Sequence, residues 1–179
     1  MKIGLTGTNC AGKGTVADYL VSKGYEYYSL SDEIRLELRR RGLEETRDNL
    51  RDLGNELRNV HGYGVLAEML SSRVSYDAVI DSIRHPMEVE ALRGFYDFVM
   101  VSVDAPIELR YERAKERGRE ENASSLEEFR QKEELEKGEG GGQQIHRTME
   151  ASDYILFNDS NMDGLQKKID DFLVYCKKP

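Results

Sequence analysis

Gly7-Thr8-Asn9-Cys10-Ala11-Gly12-Lys13 places two glycines and a lysine at the spacing G-x-x-x-x-G-K. At that spacing the backbone N–H groups of the loop curl round a polyphosphate, a helix N-terminus adds partial positive charge, and the lysine reaches the outer phosphates. The chemistry implied is nucleoside triphosphate binding, with Asn9, Cys10, Ala11 and Gly14 completing the cradle. Gly14 follows the lysine, where a hydroxyl residue is usual, and the hydroxyl of Thr15 comes one position later. Thr15 is a donor to the phosphate chain and, with Asp81, a candidate for a magnesium shell.

Phosphoryl transfer also needs an acceptor site and positive charge around the transferring group. Asp81-Ser82-Ile83-Arg84 puts a carboxylate and an arginine just past an apolar run, at a strand end that faces the ligand crevice in open α/β sheets. Arg84 is suited to gripping a phosphate with its planar fork. Ser31, Asp32 and Arg35 follow an earlier strand, with Asp32 and Arg35 one helical turn apart. Asp32 has two readings, orienting or deprotonating an acceptor hydroxyl, or complementing the helix dipole. Arg58 and His61 are further candidates on the acceptor side. Arg110, Arg113 and Arg117 share a helix face, with Arg119 beyond them. Either Arg113 and Arg117 neutralise a transferring phosphoryl group, or the row pairs with Glu108, Glu112 and Glu116 in a salt-bridged helix. His85 and His146 show no metal-ligand spacing, and no nucleophile triad is legible.

These residues need a sheet to carry them. Apolar runs at 2–6, 24–29, 77–81, 97–103 and 153–157 alternate with helical patterns, the signature of βαβ units and a parallel sheet. Ser31 reads as an N-cap for a helix running to Gly42, with Asp32 and Glu33 in its first turn. Leu50, Leu53, Leu57 and Val60 recur at helical spacing, followed by Leu66, Met69 and Leu70, and predict core. Residues 119–144 are dominated by charge and glycine and form either a disordered surface loop or a mobile lid. Leu165, Ile169, Phe172 and Leu173 mark a last helix, and Asn158 lies in the turn before it.

The 179 residues fit one domain with its own core. A net charge of -8 argues against general attraction to nucleic acid, so an anionic ligand must be held locally. Cys10 and Cys176 suggest neither a disulfide framework nor a zinc site. The apolar run at the N-terminus is too short for a signal peptide and no run suits a membrane span, so a soluble cytoplasmic protein is expected. Oligomeric state is not legible.

Gly12-Lys13-Gly14-Thr15 resembles the Gly-Lys-Gly-Thr form of the P-loop in the nucleoside monophosphate kinase family, adenylate kinases among them. Ser31-Asp32-Glu33-Ile34-Arg35 and Asp81-Ser82-Ile83-Arg84 resemble the two segments whose arginines hold the acceptor monophosphate there. Arg113, Arg117 and Arg119 resemble the basic approach to the lid. Ile80 through Arg84 with Glu88-Val89-Glu90, and Ser152 through Ile155 leading into Asn158-Asp159-Ser160, are similar to deoxynucleoside monophosphate kinase-like proteins. Dephospho-CoA kinases look similar through Val103-Asp104-Ala105-Pro106, although Ser29-Leu30-Ser31-Asp32 lacks one acidic position. The Gly-Phe-Pro-Arg of adenylate kinases is absent at 81–84.

The resemblance implies a P-loop α/β fold with a five-stranded parallel sheet ordered 2-3-1-4-5. It implies an acceptor-binding insertion at about 31–75 and a lid at about 114–148. It further implies ATP- and magnesium-dependent transfer to a nucleoside or deoxynucleoside monophosphate, with dephospho-CoA phosphorylation and a slow nucleotide-binding regulatory module as alternatives. Small-molecule nucleotides are the expected partners, with no nucleic acid and no membrane.

Overall fold

The computed structural model describes residues 1–118, 124–136 and 144–176. The chain runs β1 (Lys2–Gly7), α1 (Lys13–Ser22), β2 (Glu26–Ser29), α2 (Leu30–Arg40), α3 (Arg47–His61), α4 (Val65–Ser71), β3 (Ala78–Asp81) and α5 (Pro86–Leu92). It continues through β4 (Phe98–Asp104), α6 (Ile107–Glu116), α7 (Leu126–Glu136), α8 (Ile145–Glu150), β5 (Tyr154–Phe157) and α9 (Met162–Cys176). The strands form one parallel sheet in the order β2-β3-β1-β4-β5, as expected.

The order places β1 at the centre, so the loop that follows it opens at the C-terminal edge between β3 and β4. Both faces are covered, which explains the unbroken apolar strands. Ile3, Leu5, Val79, Val101 and Val103 pack with Val16 and Leu20 of α1 and with Leu165, Ile169 and Phe172 of α9. Ile80 and Met100 point the other way, into a second core with Leu30, Ile34 and Leu38 of α2 and the apolar residues of α3, α4 and α5.

Two expectations are corrected, and a third is left with one of its two alternatives. The helix after β2 starts at Leu30, with Ser29 rather than Ser31 at its N-cap position. Leu30 is fully buried, so the chain turns into helix as soon as the strand ends, and the Ser29 hydroxyl donates to Ser82 Oγ instead of capping. Val60 is 67% exposed because the last turn of α3 projects past the core; His61 beside it is exposed too. Within 119–144 the described residues include a regular helix, α7, whose Phe129 is buried against Cys10 and Ala114. Arg119 lies outside the described residues.

Candidate nucleotide and acceptor site

The cradle is built by two glycines that no other residue replaces without strain. Gly7 has φ 142°, and a Cβ there would sit 1.9 Å from the Val103 carbonyl oxygen. Gly12 has φ 103°, and a Cβ there would sit 2.4 Å from Asn158 Nδ2. Between them Cys10 adopts φ 59°, an uncommon conformation for a residue with a side chain, held by packing against α6 and α7. Asn158, at the end of β5, is buried; its amide donates to the Ala11 carbonyl at 2.8 Å. Thr8 donates to Asp104 Oδ1 at 2.6 Å, which ties the loop to the end of β4. The cradle is therefore clamped from both sides before any ligand arrives.

Lys13 curls into this loop, its ammonium donating to Gly7 O at 2.8 Å and Thr8 O at 2.9 Å. Burial lowers its pKa to about 8, outweighing the opposing pull of the Asp81 carboxylate, while Arg84 and Arg117 lower it further. Residues from β3, the loop after it and the end of α6 thus converge electrostatically on one lysine. A phosphate chain recruits the charged form, so the free protein should bind ATP with constant affinity below about pH 8 and lose about tenfold per unit above it, until the pKa of the bound lysine is reached. Calorimetric titration across that range checks this, and Lys13→Ala should flatten the profile.

Beside the loop lies a cleft of about 330 Å³, within the range of small-ligand sites. Cys10, Gly12 and Thr15 form one wall, Arg113 and Arg117 a second, and Asn158, Ser160, Asn161 and Met162 a third. Arg113 approaches Ala11 O at 3.4 Å and Asn158 O at 3.5 Å, and Arg117 is exposed at the rim. Arg110 behaves differently. It is buried, donates from Nε to Ala105 O at 2.9 Å, and forms a two-pronged ion pair with Glu133 of α7. The arginine row therefore splits, with Arg110 joining α6 to α7 and Arg113 and Arg117 facing the cleft.

The acceptor-side residues sit at the ends of β2 and β3. Asp81 receives the Ser82 N–H at 2.6 Å and the Tyr27 hydroxyl at 3.3 Å. Ser82 has φ 65°, a strained turn that follows the carboxylate directly. Burial and the Asp81 charge push the Tyr27 phenol up to about 12, so it remains a donor. Asp32 and Arg35 pair with each other at 2.6 Å, and Glu45 lies 3.7 Å from Arg35 Nε. Ser31 is half-buried on the same turn of α2. Thr15 lines the cleft and Asp81 does not. Among the described residues no group of three or more His, Cys, Asp or Glu is placed to hold a metal. The Thr15 hydroxyl and the Asp81 carboxylate are oxygen donors of the kind magnesium takes.

Sequence reasoning missed the hub of this half, Glu88. It is fully buried, accepts the backbone N–H groups of Arg84 at 2.8 Å and His85 at 3.1 Å, and receives Arg58 at 3.3 Å. Arg58 is accordingly buried in an ion pair instead of standing on a solvated face. A signal for Glu88 was present: Pro86 and Glu88 stand at the first and third positions of α5, which His85 caps in a reciprocal box.

A central strand, a clamped glycine loop and a half-buried lysine beside a cleft define a P-loop protein of the kinase-like α/β class. The sequence model of the AAA domain family matches residues 3–136, three quarters of the chain. The chain belongs to that family and to the UPF0200 proteins: it is 34% identical to the UPF0200 protein of Hyperthermus butylicus over 87% of this chain and 84% of that one. It is also 30% identical to the UPF0200/UPF0201 protein of Archaeoglobus fulgidus over 98% of its own length, but spans 56% of that longer relative. Among solved structures, TT1252 from Thermus thermophilus superposes with a TM-score of 0.66 at 20% identity, covering 99% of this chain and 98% of that one. Shikimate kinase from Acinetobacter baumannii, in complex with shikimate, gives 0.64 at 19% identity over 99% and 95%. These likenesses show the fold. Among the described residues no helix is long and apolar enough to cross a membrane.

Proposed function

We propose that this protein transfers the γ-phosphoryl group of ATP to a nucleoside or deoxynucleoside monophosphate. The observation that carries the reading is the charge gathered about Lys13: Arg117 at the cleft rim, and Asp81 and Arg84 at the end of β3, all act on it electrostatically. A donor and an acceptor bound on those two sides would meet above the loop. The likeness to kinases in fold supports phosphotransfer in general; the choice of acceptor comes from the residues.

In this mechanism the loop amides from Gly7 to Thr15 and the Lys13 ammonium hold the β- and γ-phosphates, and Asn158 keeps the loop in shape. Arg35 and Arg84 hold the acceptor phosphate in line. One acceptor phosphate oxygen attacks the γ-phosphorus, the bond to the β–γ bridging oxygen breaks, and ADP leaves. Arg113 and Arg117 offset the charge that develops on the transferred group. Thr15 and Asp81 would hold magnesium, which supplies neutralisation of the phosphate oxygens. A phosphate acceptor is already anionic and needs no strong base. That agrees with Asp32, whose carboxylate is engaged by Arg35. Phosphorylation of a hydroxyl, as dephospho-CoA would require, asks more of Asp32 than this arrangement offers.

A coupled assay of ADP release across the common monophosphates and dephospho-CoA tests the proposal. Turnover only with dephospho-CoA would replace the acceptor, and tight nucleotide binding with no turnover would make the protein a regulatory module. Arg84→Ala is expected to raise the acceptor KM by about 10- to 100-fold, the worth of one charged hydrogen-bonding group, while the KM for ATP stays within about twofold. Equal losses for both substrates would show that Arg84 is misassigned.

A further inference from the structure

One residue of the phosphate loop is held by a helix that the proposed mechanism leaves idle. Cys10 stands at φ 59°, in the left-handed region where a side chain crowds its own backbone and glycine is at ease. A loop with a non-glycine residue there relaxes to other conformations unless its surroundings prevent it, and the N–H groups of the cradle turn with it. The surroundings are Phe129 of α7, 6% exposed, and Ala114 of α6, which with Cys10 form a small core apart from the two that flank the sheet.

Two side chains of α7 fasten it to α6. Phe129 packs beside Tyr111, with 5.9 Å between the ring centroids, and the Arg110 guanidinium stands 5.9 Å from the same ring. Glu133, one helical turn further on, receives both terminal nitrogens of Arg110, whose Nε donates to Ala105 O at 2.9 Å. Arg110 is buried, so the pair ties α7 to the chain just past β4 in a nearly dry setting. A further pair, Arg130 with Glu108, is exposed and adds little. No described residue of α7 lines the cleft beside the loop, so the bearing of α7 on a nucleotide there runs through the residues it packs against.

We propose that Phe129 and Glu133 are positioning residues for ATP: the Glu133–Arg110 pair docks α7, and Phe129 then keeps Cys10, and with it the loop amides, in the phosphate-binding conformation. This rests on ATP binding at the loop and not on the choice of acceptor. Apparent ATP affinity scales with the fraction of molecules whose loop is so held, and by reciprocity bound ATP tightens the docking of α7.

Calorimetry of ATP binding to the intact protein, with no acceptor present, tests the first consequence. Phe129→Ala is expected to raise the ATP Kd at least about tenfold and Glu133→Gln at least about threefold, whereas Phe129→Leu, which keeps most of the buried volume, should stay within about threefold of wild type. A double-mutant cycle separates positioning from loss of stability. In a Cys10→Gly background the loop adopts its conformation without strain, so the Phe129→Ala effect on the ATP Kd should fall below about threefold. Hydrogen exchange of the wild-type protein needs no variant: ATP is expected to slow exchange of the α7 amides, Leu126–Glu136, at least about threefold. An unchanged ATP Kd in Phe129→Ala or Glu133→Gln, a Phe129→Ala effect of the same size in the Cys10→Gly background, or α7 exchange unmoved by ATP would overturn the proposal. If ATP binds with these signatures but no monophosphate is phosphorylated, the kinase reading fails while the positioning role stands. Absence of ATP binding to the wild-type protein would overturn both.

Discussion

Lys13→Ala is expected to reduce kcat by about 10³-fold, the scale of removing one preorganised charge that faces the transition state. The ammonium is held by Gly7 O and Thr8 O, so its position is set by the loop and not by the ligand. No reorganisation is needed when charge moves from γ-phosphate to the leaving oxygen. The fold should not suffer. The folded pKa, lowered to about 8 from 10.5, means the unfolded chain binds more protons between those values. Stability contributed by this residue therefore rises with pH across that window, and near pH 7 the buried ammonium is a net burden. The alanine variant should then melt at or above the wild-type temperature while losing turnover. Lys13→Arg should not rescue, because a planar fork cannot place a single point charge between two adjacent carbonyl oxygens. An unchanged kcat in Lys13→Ala would remove the central claim.

What the sequence makes legible follows from how local each signal is. The P-loop glycines, the lysine and the apolar strands announce themselves within a few residues, and the sheet order follows from a known way of winding such units. Arginine side chains do not announce their partners. Arg110, Arg113 and Arg117 look alike in sequence, yet Glu133, 23 residues on, claims the first and the cleft receives the other two. Arg58 reads as a polar residue on a helix face until Glu88, 30 residues away, takes it into the core. α2 starts two residues before the position a Ser31 cap implies, because burial of Leu30 overrides the capping preference of Ser31. In each case a long-range contact decided between local options of similar energy. The donor half is thus largely local, and the acceptor half is tertiary.

Glu88→Ala is expected to lower unfolding free energy by about 3–5 kcal/mol, the cost of leaving one partner of a buried ion pair uncompensated. That is a large part of the roughly 5–15 kcal/mol available to a domain. Burial raises the Glu88 pKa despite the Arg84 and His85 amides and the Arg58 charge, so desolvation is the larger effect at this site. An ion pair in that position does not hold the fold together by attraction. Arg58→Met combined with Glu88→Leu should accordingly recover most of the stability, read as a urea midpoint at constant slope. The same double variant removes the carboxylate that anchors the Arg84 and His85 amides, so the acceptor KM should rise by at least about tenfold while ATP affinity holds. A stable double variant with normal acceptor binding would reduce Glu88 to a packing residue. A stable one with weakened acceptor binding means the buried charge is retained to shape the loop after β3, at a cost in stability that hydrophobic packing would avoid.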